Sequence, residues 1–238
     1  MTPDDVIRQL SRLVVLLLEQ AVAVDFNSAT ALKSGHKTTI AWGTQTTAPP
    51  VAALGFATLE EYKYYLEHRN YTLLLVDGAI LQFSYKFYRD DLTGHRLCYY
   101  PCPFDLDPEV FPADGNYLPL LDYVELLEME GLQLRDDSGR PEFNRSLKLR
   151  TPVRIDYAPD FASEGHPACH LHLNSQVCRL GVSLPMSVGH FIRFVFSNFY
   201  PRHWNTTKEL RTWPCETGPR LSSTWAEHHP FIDFSRKA

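Results

Sequence analysis

The chain has 238 residues, 44% of them hydrophobic and 21% charged, which excludes disorder for most of its length and is enough to bury a core. Aromatic residues make up 13%, which favours β-structure. The net charge of −5 argues against a wholly basic nucleic-acid binder, but it is an average of unlike parts. Residues 1–140 hold 11 Lys+Arg against 20 Asp+Glu, whereas residues 141–238 hold 12 against 8 and seven of the ten histidines. An acidic front joins a basic, His-rich back, and the two are expected to share one sheet and core as a single domain.

Five cysteines without a CxxC pair make a disulfide framework or a Cys-rich zinc site an unfavourable reading. The acidic start, Asp4-Asp5, is unlike a signal peptide. The apolar run Leu13–Leu18 is too short to span a bilayer. A cytoplasmic protein with no membrane partner is expected.

Thr2-Pro3-Asp4-Asp5 predicts a helix start, with Thr2 as cap and Pro3 at the first position. The helix is expected to run to about Val22, burying Leu10, Leu13, Val14, Leu17 and Leu18. Thr38–Trp42 reads as a short strand and Thr44–Pro50 as a loop. Thr58 and Glu61 fit a capping box for a helix ending near His68. Tyr71–Val76 and Ala79–Arg89 read as a hairpin closed at Asp77-Gly78 by a type I′ turn. Leu81, Phe83, Tyr85 and Phe87 share one face, and Gln82, Ser84 and Lys86 the other. Residues His95–Tyr100 add a third strand.

Pro101–Pro119 reads as an irregular crossing, Leu118–Met129 as a helix and Arg135–Arg145 as a loop. Strands follow over Arg150–Tyr157, Ala168–Asn174 and Cys178–Leu184. Ser187 caps a helix from Val188 to about Asn198, ended by Pro201, and the Trp-rich tail from Arg202 wraps the core. The fold class expected is α+β, with an antiparallel sheet of about five to seven strands and helices packed on one face.

The candidate site lies between Arg154 and His172. Arg154 and Asp156 are two apart on one strand, and His170 and His172 two apart on the next, so each pair shares a face. His166 precedes the second strand. If these strands pair as a hairpin in the right register, the four side chains form one patch. Two chemistries suit it. His170, His172 and Asp156, or His166, could hold one divalent metal, Zn or Mn, with a position left for water. Alternatively the histidines act without metal as an acid–base pair on RNA, with Arg154 stabilising the charged phosphorane. The bland alternative is a half-exposed sheet face whose rings bond their neighbours.

His190 reads as a partnered helix histidine, and His228-His229 as exposed. Arg193, Arg202 and Lys208 suit either phosphates or a solvated face. Lys86 reads as exposed, with the option of reaching the His patch. Cys169 alternates with the histidines and points into the core, and Cys98 and Cys102 are also structural. Asp105, Asp107, Glu109, Asp114, Glu125, Glu128 and Glu130 form either a soluble surface or a mask for a basic partner.

Arg154-Ile-Asp156-Tyr-Ala-Pro159, then His166-Pro167-Ala-Cys-His170-Leu-His172, then Asn198-Phe199-Tyr200-Pro201, resembles the signature of a bacterial family of unknown function. The pattern is also similar to the TumE-like toxins of toxin–antitoxin operons. The resemblance implies a mobile-element, toxin or phage-defence setting and a nuclease; RNA is expected as substrate before DNA, with a protein partner from the same operon. The alternative is a non-catalytic subunit of such a complex.

Overall fold

The computed structural model describes residues 1–43, 58–104, 122, 125, 150–163, 166–173, 175, 177–216, 221 and 231–233. Helix α1 spans Pro3–Glu19. Thr2 accepts from the Asp5 amide, and the Asp5 carboxylate returns a bond to the Thr2 amide at 3.0 Å, closing a capping box on the positive helix end. Leu10, Leu13, Val14 and Leu17 are buried as expected, together with Val6 and Leu16, whereas Leu18 is exposed.

Strands β1 (Ala23–Phe26), β2 (Ala29–Ser34) and β3 (Lys37–Trp42) follow. The first two lack an apolar alternation and are found only through their partners, β4 and β3. Helix α2 (Leu59–Glu67) is capped by the Thr58 hydroxyl, which accepts from the Glu61 amide at 3.1 Å. Strands β4 (Leu73–Leu75), β5 (Ile80–Tyr88) and β6 (Asp91–Tyr100) form the expected meander. Its first turn is not type I′. Only Gly78 has a positive φ (77°), and its amide donates to Leu75 O while Leu75 N donates to Ala79 O. That is a three-residue loop ending in a glycine bulge, which the Asp-Gly pair serves equally well.

Strands β7 (Val153–Tyr157), β8 (Cys169–Leu173) and β9 (Leu180–Val182) continue the sheet, with a 3-10 turn at Pro159–Phe161 after β7. Helix α3 spans Val188–Phe199, capped by Ser187, whose hydroxyl also meets His190 Nδ1 at 3.0 Å. Pro201 ends α3 and opens the short helix α4 (Pro201–Thr206), followed by α5 (Lys208–Arg211). Strand β10 (Phe231–Ile232) adds to β9 in parallel. Of the expected helix over Leu118–Met129, only Asp122 and Glu125 are described, both helical. The loops at Thr44–Pro50 and Arg135–Arg145, His228-His229 and the acidic residues other than Glu125 lie outside the described residues.

The fold is α+β, but among the described residues the sheet already has ten strands rather than five to seven. The extra strands are polar or short edge pieces whose pairing, not composition, defines them. Nor are helices confined to one face. On the first face Phe83, Tyr85, Leu97 and Ile155 pack in one cluster with α1 and α3, and Phe83 meets Phe191 edge-on at 5.4 Å between ring centres. On the second face Tyr62 and Tyr65 of α2 cover Ile80, Cys98 and Tyr100. β6 from the acidic front pairs with β7 from the basic back, so the charge boundary runs through the sheet. No helix among the described residues is long and apolar enough to cross a membrane.

The tail packs where expected: Leu210 and Trp213 are buried against the first-face cluster. A Cβ at Gly189 of α3 would lie 2.0 Å from Pro214 O. Gly189→Ala is expected to cost about 1–3 kcal/mol, read as a lower urea midpoint with unchanged slope. An unchanged midpoint would mean that the tail does not dock there.

Candidate functional site

The register of three strands builds the site on the second face. Cys98, Arg154 and His172 stand in one cross-strand row. Arg96, Asp156 and His170 stand in the next, and Gly181 opposite His170 adds no side chain. The four residues expected to form a patch do so, because Arg154 is directly opposite His172 and Asp156 directly opposite His170. Adjacent strands lie about 4.8 Å apart, so both rows are compact. Cys169 points to the first-face core, as its parity requires.

The Asp156 carboxylate is held from several sides. Arg96 Nε lies 3.2 Å from one oxygen, and Arg154 Nε 3.2 Å from the other. Burial pushes the Asp156 carboxyl up, but the facing His172 imidazole and the Arg154 and Arg96 guanidiniums outweigh it and hold it down at about 2. Arg154 is itself buried, so this pair has little water to compete with it.

The imidazoles have an order. His170 Nδ1 lies 2.8 Å from Pro167 O, and His172 Nδ1 3.3 Å from Ser175 O. A carbonyl oxygen only accepts, so each Nδ1 carries a proton. His172 Nε2 lies 3.6 Å from an Asp156 oxygen. That is too long for a good hydrogen bond and near the edge of about 3.3 Å between two donors on a tetrahedral ion with bonds of about 2.0 Å. One ligand atom each from Asp156, His170 and His172 lie within 4.8 Å of one another. This buried group could hold a metal ion.

His166 stacks edge-on against His170 at 4.5 Å between ring centres, and His170 against His172 at 4.7 Å. His166 therefore joins the row, though from a bridge between Ser163 and His166 rather than from the strand. Burial, above all, pushes His170 down to about 4, and burial with the Arg179 charge pushes His166 down. His170 is thus neutral at physiological pH.

Around these residues is a cavity of about 840 Å³. Its lining includes five Lys or Arg (37, 86, 96, 154 and 179) against Asp156 and Asp160. Lys86 is exposed and on the same wall as the His row, so both its readings hold. Gly94 stands opposite Lys86, and a Cβ there would lie 3.1 Å from Tyr157 O and 3.9 Å from the Lys86 side chain. Arg193, Arg202 and Lys208 do not line this cavity. Arg96, Arg179 and Phe161 were not singled out in the sequence. Arg96 had a signal, its parity with Cys98, but more than fifty residues separate β6 from β7, and only the fold makes them neighbours.

A family model described as an uncharacterized conserved protein, DUF2290, matches residues 22–232. The chain belongs to this family. Neither the curated proteins nor the solved structures compared contain a significant match.

Proposed function

We propose that this DUF2290 chain is a phosphodiester-cleaving hydrolase, acting on RNA before DNA, with one divalent metal held by Asp156, His170 and His172. The orientation of the two imidazoles carries this reading. Both Nδ1–H groups are engaged by backbone carbonyls. One nitrogen of each ring lies within 4.8 Å of an Asp156 oxygen, in a cavity lined by cations. Backbone carbonyls behind histidine ligands fix their tautomer and raise their basicity.

A zinc or manganese ion in such a site would activate water and polarise a phosphoryl oxygen. The chain's own residues do the rest. Asp156 supplies a negative donor at any pH above about 2. Arg96 and Arg154 fix its oxygens, and Arg154 faces the developing phosphorane charge. A metal-free acid–base pair fits less well, because an acid must hold a proton near neutral pH and His170 is pushed down to about 4. RNA precedes DNA because its 2′-hydroxyl can attack the adjacent phosphorus and expel the 5′-oxygen, the water that the ion would activate taking the hydroxyl proton and returning one to the leaving oxygen. The toxin or phage-defence setting, with a partner from the same operon, comes from the motif resemblance.

Elemental analysis joined to cleavage of end-labelled RNA and DNA tests this. One equivalent of zinc or manganese, and cleavage lost on chelation and restored by the ion, is the expected result. Cleavage indifferent to chelation would replace the metal centre by the acid–base pair. No cleavage of either nucleic acid by the metal-loaded protein would overturn the enzyme reading.

A further inference from the structure

Phe161 is the last residue of the 3-10 turn that follows β7, five positions after Asp156. The residue is 74% exposed, yet it lines the same cavity as the His row. A large apolar ring held in water at the mouth of a cation-lined cavity has a ready use in stacking on a nucleobase. The reactive groups lie deeper, with His170 and His172 only 1% and 2% exposed. A phosphodiester fixed in a rigid duplex cannot follow them to that depth, whereas a single strand can bend in.

The cation distribution points the same way. Lys86 stands two strands and two residues from Asp156, roughly 12 Å between Cα atoms from sheet spacings. Lys37 begins β3 on the same side. These lysines cannot serve the phosphate held by Arg154, and so fit a neighbouring one. Near the His row the Nε of Arg179 is buried and has no partner among the described residues; it is a donor only, and so suits an anion.

We propose that the cavity binds single-stranded nucleic acid, with Phe161 stacking a base beside the phosphate held at Arg154, and Lys37 and Lys86 holding the next phosphate along. This deepens, and rests on, the phosphodiester-cleaving reading of the same site. Phe161 is then a specificity-determining residue that selects unstacked strands. The sheet face below it is the channel.

The test is fluorescence anisotropy with a labelled eight-nucleotide RNA, its DNA equivalent and the matching duplexes, in chelator so that nothing is cleaved. Single strands are expected to bind at least tenfold more tightly than duplexes. Phe161→Ala is expected to weaken single-strand binding about tenfold, and Phe161→Trp to retain it. Lys86→Ala is expected to weaken binding to both strand types and to lower the salt slope by about one unit. Phe161 and Lys86 are exposed, so these variants keep the fold. Equal binding of duplex and single strand, or an unchanged affinity in Phe161→Ala, would overturn the proposal. The cleavage reading fails separately: tight, Phe161-dependent single-strand binding by a protein that cleaves nothing would leave this inference standing and remove the enzyme.

Discussion

His170→Asn is expected to lower nucleic-acid cleavage by at least a hundredfold and to remove the bound metal, while moving the melting temperature by only a few degrees. The asparagine amide can keep the donor to Pro167 O, which is 2.8 Å from Nδ1 in the native protein. It has nothing to replace Nε2. The substitution thus separates the structural half of the imidazole from its chemical half. His170→Ala removes both halves, and strands a buried carbonyl at a cost of about 1–3 kcal/mol. The double variant His170→Asn/His172→Asn is expected to lose no more activity than either alone, because groups that act as one unit are not additive. Melting curves, metal content and cleavage rates of the three variants check this. Full cleavage by the double variant would show the His row to be structural.

That alternative has real content. His170 and His172 are buried and each has its Nδ1 satisfied, as a purely structural histidine would. What it does not explain is the company. A sheet face needing only burial is filled by apolar groups, as α2 fills the neighbouring stretch over Ile80 and Tyr100. Here a buried Arg154–Asp156 pair, three imidazoles and the cations of Lys86 and Arg179 share one cavity. Like charges gathered around an opening raise the free energy of the empty protein, and a bound anion relieves them.

Parity made the centre of this site legible in the sequence. The spacings Arg154-x-Asp156 and His170-x-His172 put each pair on one face, and a short connection made hairpin pairing the natural topology. The surroundings were not legible, for two physical reasons. Arg96 and Lys86 reach the site through pairings and a register shift near Gly94 that no local pattern encodes. Edge strands such as β2, with five exposed positions in six, carry no hydrophobic signature because only one side of them is needed. Helix α2 was expected, but its packing on the second face was missed for a related reason. Gln82 and Ser84 read as a solvated face, yet both are buried, Gln82 by bonding Asn70 O. The net charge of −5 hid the basic cavity because charge acts through its placement and not its sum.

Acid is expected to unfold the protein in two stages, the first set by His95. This ring is buried on the first face between Tyr85 and Tyr157, and its Nε2 accepts from the Met186 amide at 2.8 Å. An imidazolium cannot accept that bond. Burial accordingly pushes His95 down to about 4 from an ordinary 6.5. The unfolded chain therefore binds the proton first as pH falls. The contribution of His95 is complete above pH 6.5 and is lost progressively down to about pH 4, amounting to on the order of 3 kcal/mol. His170, also pushed down to about 4, adds a loss of the same sign in the same window. Asp156 acts later, between its ordinary 3.8 and about 2, where protonation releases Arg96 and Arg154. Against a total stability of about 5–15 kcal/mol, the imidazole stage alone removes a large share. Urea midpoints at pH 7, 5.5 and 4.5 measure it. In His95→Leu the Met186 amide loses its acceptor, so stability at pH 7 falls by about 1–3 kcal/mol. Its curve is then flatter by up to about 1.4 kcal/mol per pH unit, and it converges on the native curve as pH approaches 4. Parallel curves for the two proteins would mean that His95 titrates alike in the folded and unfolded chain, and that the link from β6 to the start of α3 is held by something else.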